Sequence, residues 1–478
     1  MKLDADACYR AVTARDGRFD GLFFVAVRTT GIYCRPVCRA RTPARDRCVF
    51  YRTAAQAERD GFRACLRCRP ELAPGGAPVD SVPRLVREAA ARIDAGALNE
   101  SDVEALAAQL GVSGRHLRRA MISELGVSPV ELAQTRRIGL AKHLLQDTAM
   151  PVSEIAFASG FRSIRRFNAL FRTRFGRAPS ALRRARSTAI SEEAISLTLD
   201  YRAPFDWAAM LAFLRARATP SVEAIRGNTY LRTARVGNHR GWIAITPMPD
   251  RCALRAQVSF SLAPALMPLV ARLRRLCDLD AHPDRIASQL QSDPKLAPRV
   301  RARPGLRVPG AFDGFETAAR AVLGQQVSVA AATTLAGRVA EAFGDPIDTP
   351  HLELTRLWPP AERIARERAE ALSALGILPS RARSLRQLAS AVARGELILA
   401  PVADAPATLQ RILDVPGIGP WTAQYVAMRA LGWPDAFPDS DLGIRKALGG
   451  LSPTEVRRRA ERWRPWRAYA AMHLWVST

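Results

Sequence analysis

Two groups of residues in this 478-residue sequence have the types and spacings that chemistry requires. The first is Leu413-Asp-Val-Pro-Gly-Ile-Gly-Pro-Trp421, followed downstream by Phe437-Pro-Asp-Ser-Asp441. Gly417 and Gly419 let the backbone approach an anion closely, because glycine has no side chain to hold it off. The N–H groups that open the next stretch, Trp421 to Arg429, suit a phosphate. This is a helix-hairpin-helix pattern, which grips a DNA backbone without reading bases. A carboxylate held beside a gripped nucleotide, here Asp441, can act on the sugar. The second group is Cys34-x3-Cys38 with Cys65-x2-Cys68. Each pair lets one short loop present two thiolates, and two such loops complete a tetrahedral zinc site. On spacing alone, a purely structural zinc is the commoner outcome. Cys8 and Cys48 lack close partners and read as ordinary buried thiols.

Several bodies must position these groups, since the chain is too long for one core. Lys and Arg number 71 against 45 Asp and Glu, a net charge of +26 and a sequence pI near 11.1. Such an excess favours polyanions through counterion release. A habit of using Arg for Lys explains the Arg/Lys ratio but not the sign. No apolar run reaches the length of a membrane span, and Met1-Lys-Leu-Asp-Ala-Asp6 lacks a signal-peptide core. The expectation is a cytoplasmic, nucleoid-associated protein without a membrane partner. Eight cysteines in a reducing compartment point to metal or catalysis rather than disulfides.

The pattern predicts a multidomain chain. A small α+β zinc domain spans 1–78 and an all-α tandem helix-turn-helix domain 79–183. A linker at 184–193 leads to an α/β sheet domain at 194–308 and an all-α helix-hairpin-helix domain at 309–478. The tandem units are Val103 to Met121 and Val152 to Phe171. Each has a short helix, a Gly turn, a Ser suited to cap a helix, and a second helix with a basic outer face. Candidate DNA contacts are Ser113, Arg115, His116, Arg118 and Arg119, then Arg162, Ser163, Arg165, Arg166 and Asn168. Strands are predicted at Ile195–Tyr201, Trp242–Thr246 and Cys252–Phe260 from alternation.

The run Val27 to Arg41, with Cys34-Arg-Pro-Val-Cys38, and the run Gly61 to Pro70 resemble the N-terminal domain of the bacterial adaptive-response Ada family. The resemblance implies one Zn²⁺ on Cys34, Cys38, Cys65 and Cys68. It also implies that Cys34 takes a methyl group irreversibly from a DNA methylphosphotriester. Zinc keeps the sulfur a thiolate, and the thiolate is the nucleophile. Arg28, Arg35, Arg39 and Arg41 are candidates to bring the backbone to it. The tandem units, closed by Phe175-Gly-Arg-Ala-Pro-Ser180, resemble an AraC-type domain, as Ada proteins carry. Promoter DNA, with RNA polymerase as a further partner, follows from that resemblance.

Residues 195–478 resemble bacterial 3-methyladenine DNA glycosylase II. The matching pieces are Pro204 to Leu211, Arg303 to Gly310, Ala321 to Ser328, the hairpin, Asp441, and Glu461 to Tyr469. By this resemblance Asp441 is the catalytic carboxylate, and Gln326 fills the gap left by a flipped base. The carbonyls of Leu413, Val415 and Ile418 would hold a monovalent cation against the phosphate. Trp421, Tyr425, Trp475 and Phe213 match pocket positions, where electron-rich rings suit a cationic alkylated purine. Relatives that also cut the strand place a lysine two residues after the second hairpin glycine. Trp421 stands there and cannot form an imine, so a monofunctional glycosylase is expected. No cysteine follows Cys277, which excludes the four-cysteine iron–sulfur cluster of some relatives. The Pro-Cys-His-Arg site of an O6-alkylguanine transferase is absent from this sequence. Leu442 replaces an aromatic beside the carboxylate.

The expected protein repairs alkylated double-stranded DNA and regulates transcription in response to the damage. Two other classes compete: a glycosylase whose zinc and helix-turn-helix half only targets DNA, and a regulator with a non-catalytic glycosylase-like domain. Methylation mapped to Cys34 separates them.

Overall fold

Four short strands fix the cysteine loops in the computed structural model, which describes residues 3–75, 83–183, 194–401 and 404–476. Their order across the sheet is Cys48–Tyr51, Phe24–Val27, Ile32–Cys34, Arg63–Ala64. The last two strands run parallel with Tyr33 opposite Ala64, so Cys34 and Cys65 leave the sheet side by side. The helix Ala5–Ala14, capped by the Asp4 carboxylate, closes this sheet. Its Cys8 and Val12 pack with Phe23, Val25 and Cys48, which makes Cys8 and Cys48 core thiols as expected.

The chain divides into two compact units, Met1–Ala203 with Met248–Ala271, and Pro204–Pro247 with Arg272–Thr478. The first holds both helix-turn-helices. Val103–Gln109 and Gly114–Leu125 form one, Val152–Ala158 and Ile164–Phe175 the other. Ser113 and Ser163 each cap their second helix, at 3.2 and 3.4 Å from the N–H groups of His116 and Arg166. Gly111 and Gly160, at φ +70° and +83°, make the turns that a β-carbon would strain. Leu106, Leu117 and Met121 fill the first pair, and a ladder of rings from Phe161 through Phe167 and Phe171 to Phe175 fills the second.

Between the pairs runs the long helix Pro129–Asp147, and the cysteine domain docks on it. Buried Lys142 donates to the Cys65 carbonyl at 3.1 Å and to Glu71 at 2.7 Å. Arg69 pairs with Asp147 at 2.7 Å, and Glu58 accepts from both Tyr33 and Thr135. The strands Ala194–Asp200 and Ala253–Ser259 pair antiparallel within the same unit. The expected linker, 184–193, lies outside the described residues.

In the second unit Glu223–Arg226, Thr229–Val236 and His239–Met248 form an antiparallel meander, of which the sequence pattern foresees only the last strand. The remainder is helical, as expected. Gly314–Leu323, Pro379–Ala393 and Pro420–Arg429 bury their apolar stripes together, with Trp463 and Leu474 fully inside. Buried Arg232 and half-buried Arg320 are matched by buried Glu223 and Glu316, so this interior charge is paired. Among the described residues, no helix is long and apolar enough to cross a membrane.

Candidate functional sites

The hairpin forms as its glycines require. The helix Ala405–Leu413 ends at Asp414, the Ile418 N–H bonds back to the Val415 carbonyl at 3.1 Å, and Gly419 precedes the helix Pro420–Arg429. Gly417 sits at φ +83°, and a β-carbon there would lie 2.1 Å from Ser384 Oγ. Both glycines are exposed, leaving the turn's backbone open to a ligand. Gln325 donates to the Gly417 carbonyl at 3.0 Å and reaches Thr422 Oγ1 at 3.1 Å, which ties the neighbouring loop to the hairpin. The next residue, Gln326, is exposed and held at φ +55°. A left-handed glutamine costs backbone energy, and such strain gathers at functional positions.

Asp441 is half-buried at the start of the helix Leu442–Ala447. Its Oδ1 accepts from the Ile444 N–H at 3.0 Å and from Trp475 Nε1 at 2.9 Å, while Oδ2 accepts from Trp421 Nε1 at 2.8 Å. Two indoles therefore aim the carboxylate, a role for Trp421 and Trp475 that spacing does not reveal. Gly443 makes room: a β-carbon there would stand 3.2 Å from Asp441 Oδ1 and 3.4 Å from the Trp475 ring. Leu442 is 61% exposed beside the carboxylate.

The aromatic bay is built around Tyr425. Trp421 stacks on it with centroids 5.4 Å apart, and Trp475 lies 6.3 Å away. Phe213 joins through arginines instead of ring contact. The Arg217 guanidinium covers its face at 3.8 Å, and that of Arg429 lies 4.7 Å from its centroid. Arg429 also donates to the Tyr425 hydroxyl at 2.6 Å and anchors on the Pro309 and Gly310 carbonyls. Burial alone would raise the Tyr425 phenol, but the charges of Arg429, Arg217 and Arg320 outweigh it and draw the pKa below the usual tyrosine value. Sequence reasoning missed these arginines, since nothing in their spacing links them to the rings.

The four cysteine sulfurs lie within 4.8 Å of one another. Thiolates at zinc bond lengths stand about 3.8 Å apart in a tetrahedron, so the cluster fits Zn²⁺. The Arg35 N–H approaches Cys68 Sγ at 3.4 Å and the Arg67 N–H approaches Cys65 Sγ at 3.4 Å. Arg28, Arg39 and Arg41 are exposed, with Arg28 at the strand turn, away from the end where Cys34 pairs with Val25. Arg35 corrects its expectation. It is 7% exposed, bidentate to Asp20 and 2.7 Å from Asp200, so it braces the loop from within and cannot meet a phosphate. In the helix-turn-helices, Arg115, His116 and Arg119 are exposed, as are Arg162, Arg165 and Arg166. Arg118 is tied to Glu104 at 2.6 Å, and the Ser113 and Ser163 oxygens are occupied as caps.

The metal binding domain of Ada matches residues 7–71 and a helix-turn-helix domain 106–185. The AlkA N-terminal domain matches 196–313, and the HhH-GPD superfamily of base excision DNA repair proteins 319–467. A protein of Mycobacterium tuberculosis (strain ATCC 25618 / H37Rv), described as a probable bifunctional transcriptional activator/DNA repair enzyme AlkA, is 41% identical. The alignment covers 100% of this chain and 97% of that one. DNA-3-methyladenine glycosylase 2 of Escherichia coli (strain K12) is 39% identical over 59% of this chain and 96% of its own. Among solved structures, a 3-methyladenine DNA glycosylase from Archaeoglobus fulgidus has TM-score 0.51 and 22% identity. It covers 58% of this chain and 97% of its own, and it shows a shared fold.

Proposed function

As the chain belongs to the family of bifunctional transcriptional activator/DNA repair enzymes of the AlkA type, we propose that it excises N-alkylated purines from double-stranded DNA and couples methyl damage to transcription. One observation carries the glycosylase reading: Asp441 is aimed by Trp421 and Trp475 at the edge of an aromatic bay, one helix away from the exposed hairpin. The hairpin holds a backbone phosphate, and Gln326 occupies the gap when the damaged base leaves the stack. Carbonyls of Leu413, Val415 and Ile418 would hold a monovalent cation that bridges to that phosphate. The flipped base lies against Trp421, Tyr425 and Trp475. Its positive charge is attracted to their faces and already weakens the bond to the sugar. As the C1′–N bond breaks, the electron pair leaves with the purine and the sugar becomes cationic. Asp441 stabilises that cation, and water then completes hydrolysis at C1′.

In the other half, Cys34, Cys38, Cys65 and Cys68 would hold Zn²⁺, which keeps the Cys34 sulfur a thiolate at neutral pH. Cys34 Sγ attacks the methyl carbon of a methylphosphotriester. The S–C bond forms, the C–O bond breaks, and a phosphodiester anion leaves. The tandem helix-turn-helices bind promoter DNA, where RNA polymerase is the partner of an activator.

Asp441→Asn keeps the shape and the three donors nearby but removes the charge. Release of 3-methyladenine or 7-methylguanine from methylated DNA should fall about 100-fold or more while DNA binding survives. Wild-type product should be an intact strand with an abasic site, and borohydride should trap no adduct, because Trp421 offers no amine. Near-normal release by the variant would overturn the assignment of Asp441.

A further inference from the structure

Beside the hairpin lies an open cleft of about 710 Å³ whose wall includes Asp414, Val415 and Pro416 of the hairpin itself. The helix Pro379–Ala393 also lines it and carries Arg383 and Arg386 into the cleft. That helix contains no Asp or Glu, so these two exposed arginines, three residues apart, repel one another without local compensation. Neither has an ion-pair or hydrogen-bond partner among the described residues. Other charges around the cleft offset one another. Arg394 is bidentate to Glu396 at 2.6 and 2.8 Å, so that pair cancels. Arg411 donates only to the Glu396 carbonyl at 3.3 Å and Asp414 accepts only from the Gln410 amide at 3.1 Å, so these two opposite charges offset one another in the cleft's total without being paired. Ser384, between the two free arginines' turns, is the residue that touches Gly417. The helix that presents the unmatched charge therefore also backs the phosphate-gripping turn.

We propose that this cleft is a second anion subsite, in which Arg383 and Arg386 hold phosphates of the DNA strand next to the one held by the hairpin. The proposal rests on the hairpin being a DNA grip. The cleft's four arginines face only Glu396 and Asp414, so it carries a net positive charge that Arg383 and Arg386 present, and a net positive cleft continuous with a backbone-binding turn fits a phosphodiester chain. The two arginines attract each phosphate as point charges, which adds affinity without base preference.

The test uses the full chain and a duplex carrying a tetrahydrofuran abasic site, with affinity measured across a salt titration. Arg383→Ala/Arg386→Ala should weaken binding about tenfold at low salt. It should also lower the slope of log affinity against log salt by about two, since each phosphate contact contributes about 0.9. Arg383→Lys/Arg386→Lys should restore most of both, because charge suffices. Single neutral methylphosphonates placed along the strand should weaken the wild type at one or two positions beyond the one held by the hairpin and leave the double-alanine variant indifferent at those positions. An unchanged salt slope in the alanine variant, or retained sensitivity to every methylphosphonate, would overturn the subsite. Base release by wild type on methylated DNA is measured in parallel. Failure of release with an intact loss of slope would sink the glycosylase reading and leave the subsite standing.

Discussion

At the scale of the residue, the clamp on Asp441 separates two jobs that an aromatic side chain can do. Trp475 presents a ring to the bay and an N–H to Oδ1. Trp475→Phe keeps the ring and removes the donor. A hydrogen bond to a charged group contributes about 1.5–3 kcal/mol, so kcat should fall by roughly 10- to 100-fold with KM little changed. Steady-state base release reads the split, and a variant altered only in KM would make Trp475 a stacking residue alone. Asp278 offers a pH prediction. Burial pushes its carboxyl up to about 6 against the pull of Arg307 and the 2.7 Å bond from the Tyr469 hydroxyl. The folded state thus holds a proton that the unfolded chain releases near pH 3.8. Stability from this group is fully present below that pH and lost as pH rises toward about 6, a loss of at most about 3 kcal/mol at 1.4 kcal/mol per unit. Asp278→Asn keeps a partner for Tyr469 and tolerates the φ of +50°. It should raise the urea midpoint at neutral pH and flatten its slope with pH between about 4 and 6. All eight tryptophans lie from Trp207 onward, so indole fluorescence follows this unit alone.

Among elements, what was legible in the sequence was what is local. The hairpin needs chiefly one glycine, Gly417, at its positive φ, and each cysteine loop needs only its own spacing, so both stand in the structure where expected. Ser caps and Gly turns marked both helix-turn-helices for the same reason. Contacts between distant segments were not legible. Arg35 meets Asp200 across 165 positions and Trp475 meets Asp441 across 34, and neither pairing leaves a periodic trace. Two strands of the meander, Glu223–Arg226 and Thr229–Val236, escaped because arginines interrupt their alternation; buried Arg232 counts as apolar only once Glu316 neutralises it. The cysteine loop also carries an electrostatic prediction. Four thiolates on Zn²⁺ leave a formal charge of 2−, and methylation of Cys34 lowers it to 1−. Removing one unit of repulsion near a phosphate should tighten promoter binding by about 1 kcal/mol, less as salt rises. Full-length protein, methylated or not, titrated against a promoter at two ionic strengths reads this directly. Equal affinities would leave Cys34 as repair chemistry only.

For the whole molecule, the seam between functions and the seam between folded bodies do not coincide. The functional halves meet near 184–193, yet the first unit continues through Ala203 and takes in Met248–Ala271. Asp200 closes over Arg35, Arg251 caps the other oxygen of Asp200, and Arg202 donates to the carbonyls of Asp20 and Gly75. The regulatory half therefore borrows part of its interior from a strand that sequence assigns to the repair half. A fragment ending at 183 would lack Asp200 and Arg202, which uncovers Arg35 and leaves it with one carboxylate instead of two. Its melting point should lie roughly 5 °C or more below the corresponding transition of the intact chain, read by circular dichroism. A new partner joined at the linker must therefore bring its own acid in place of Asp200 if Arg35 is to keep both carboxylates.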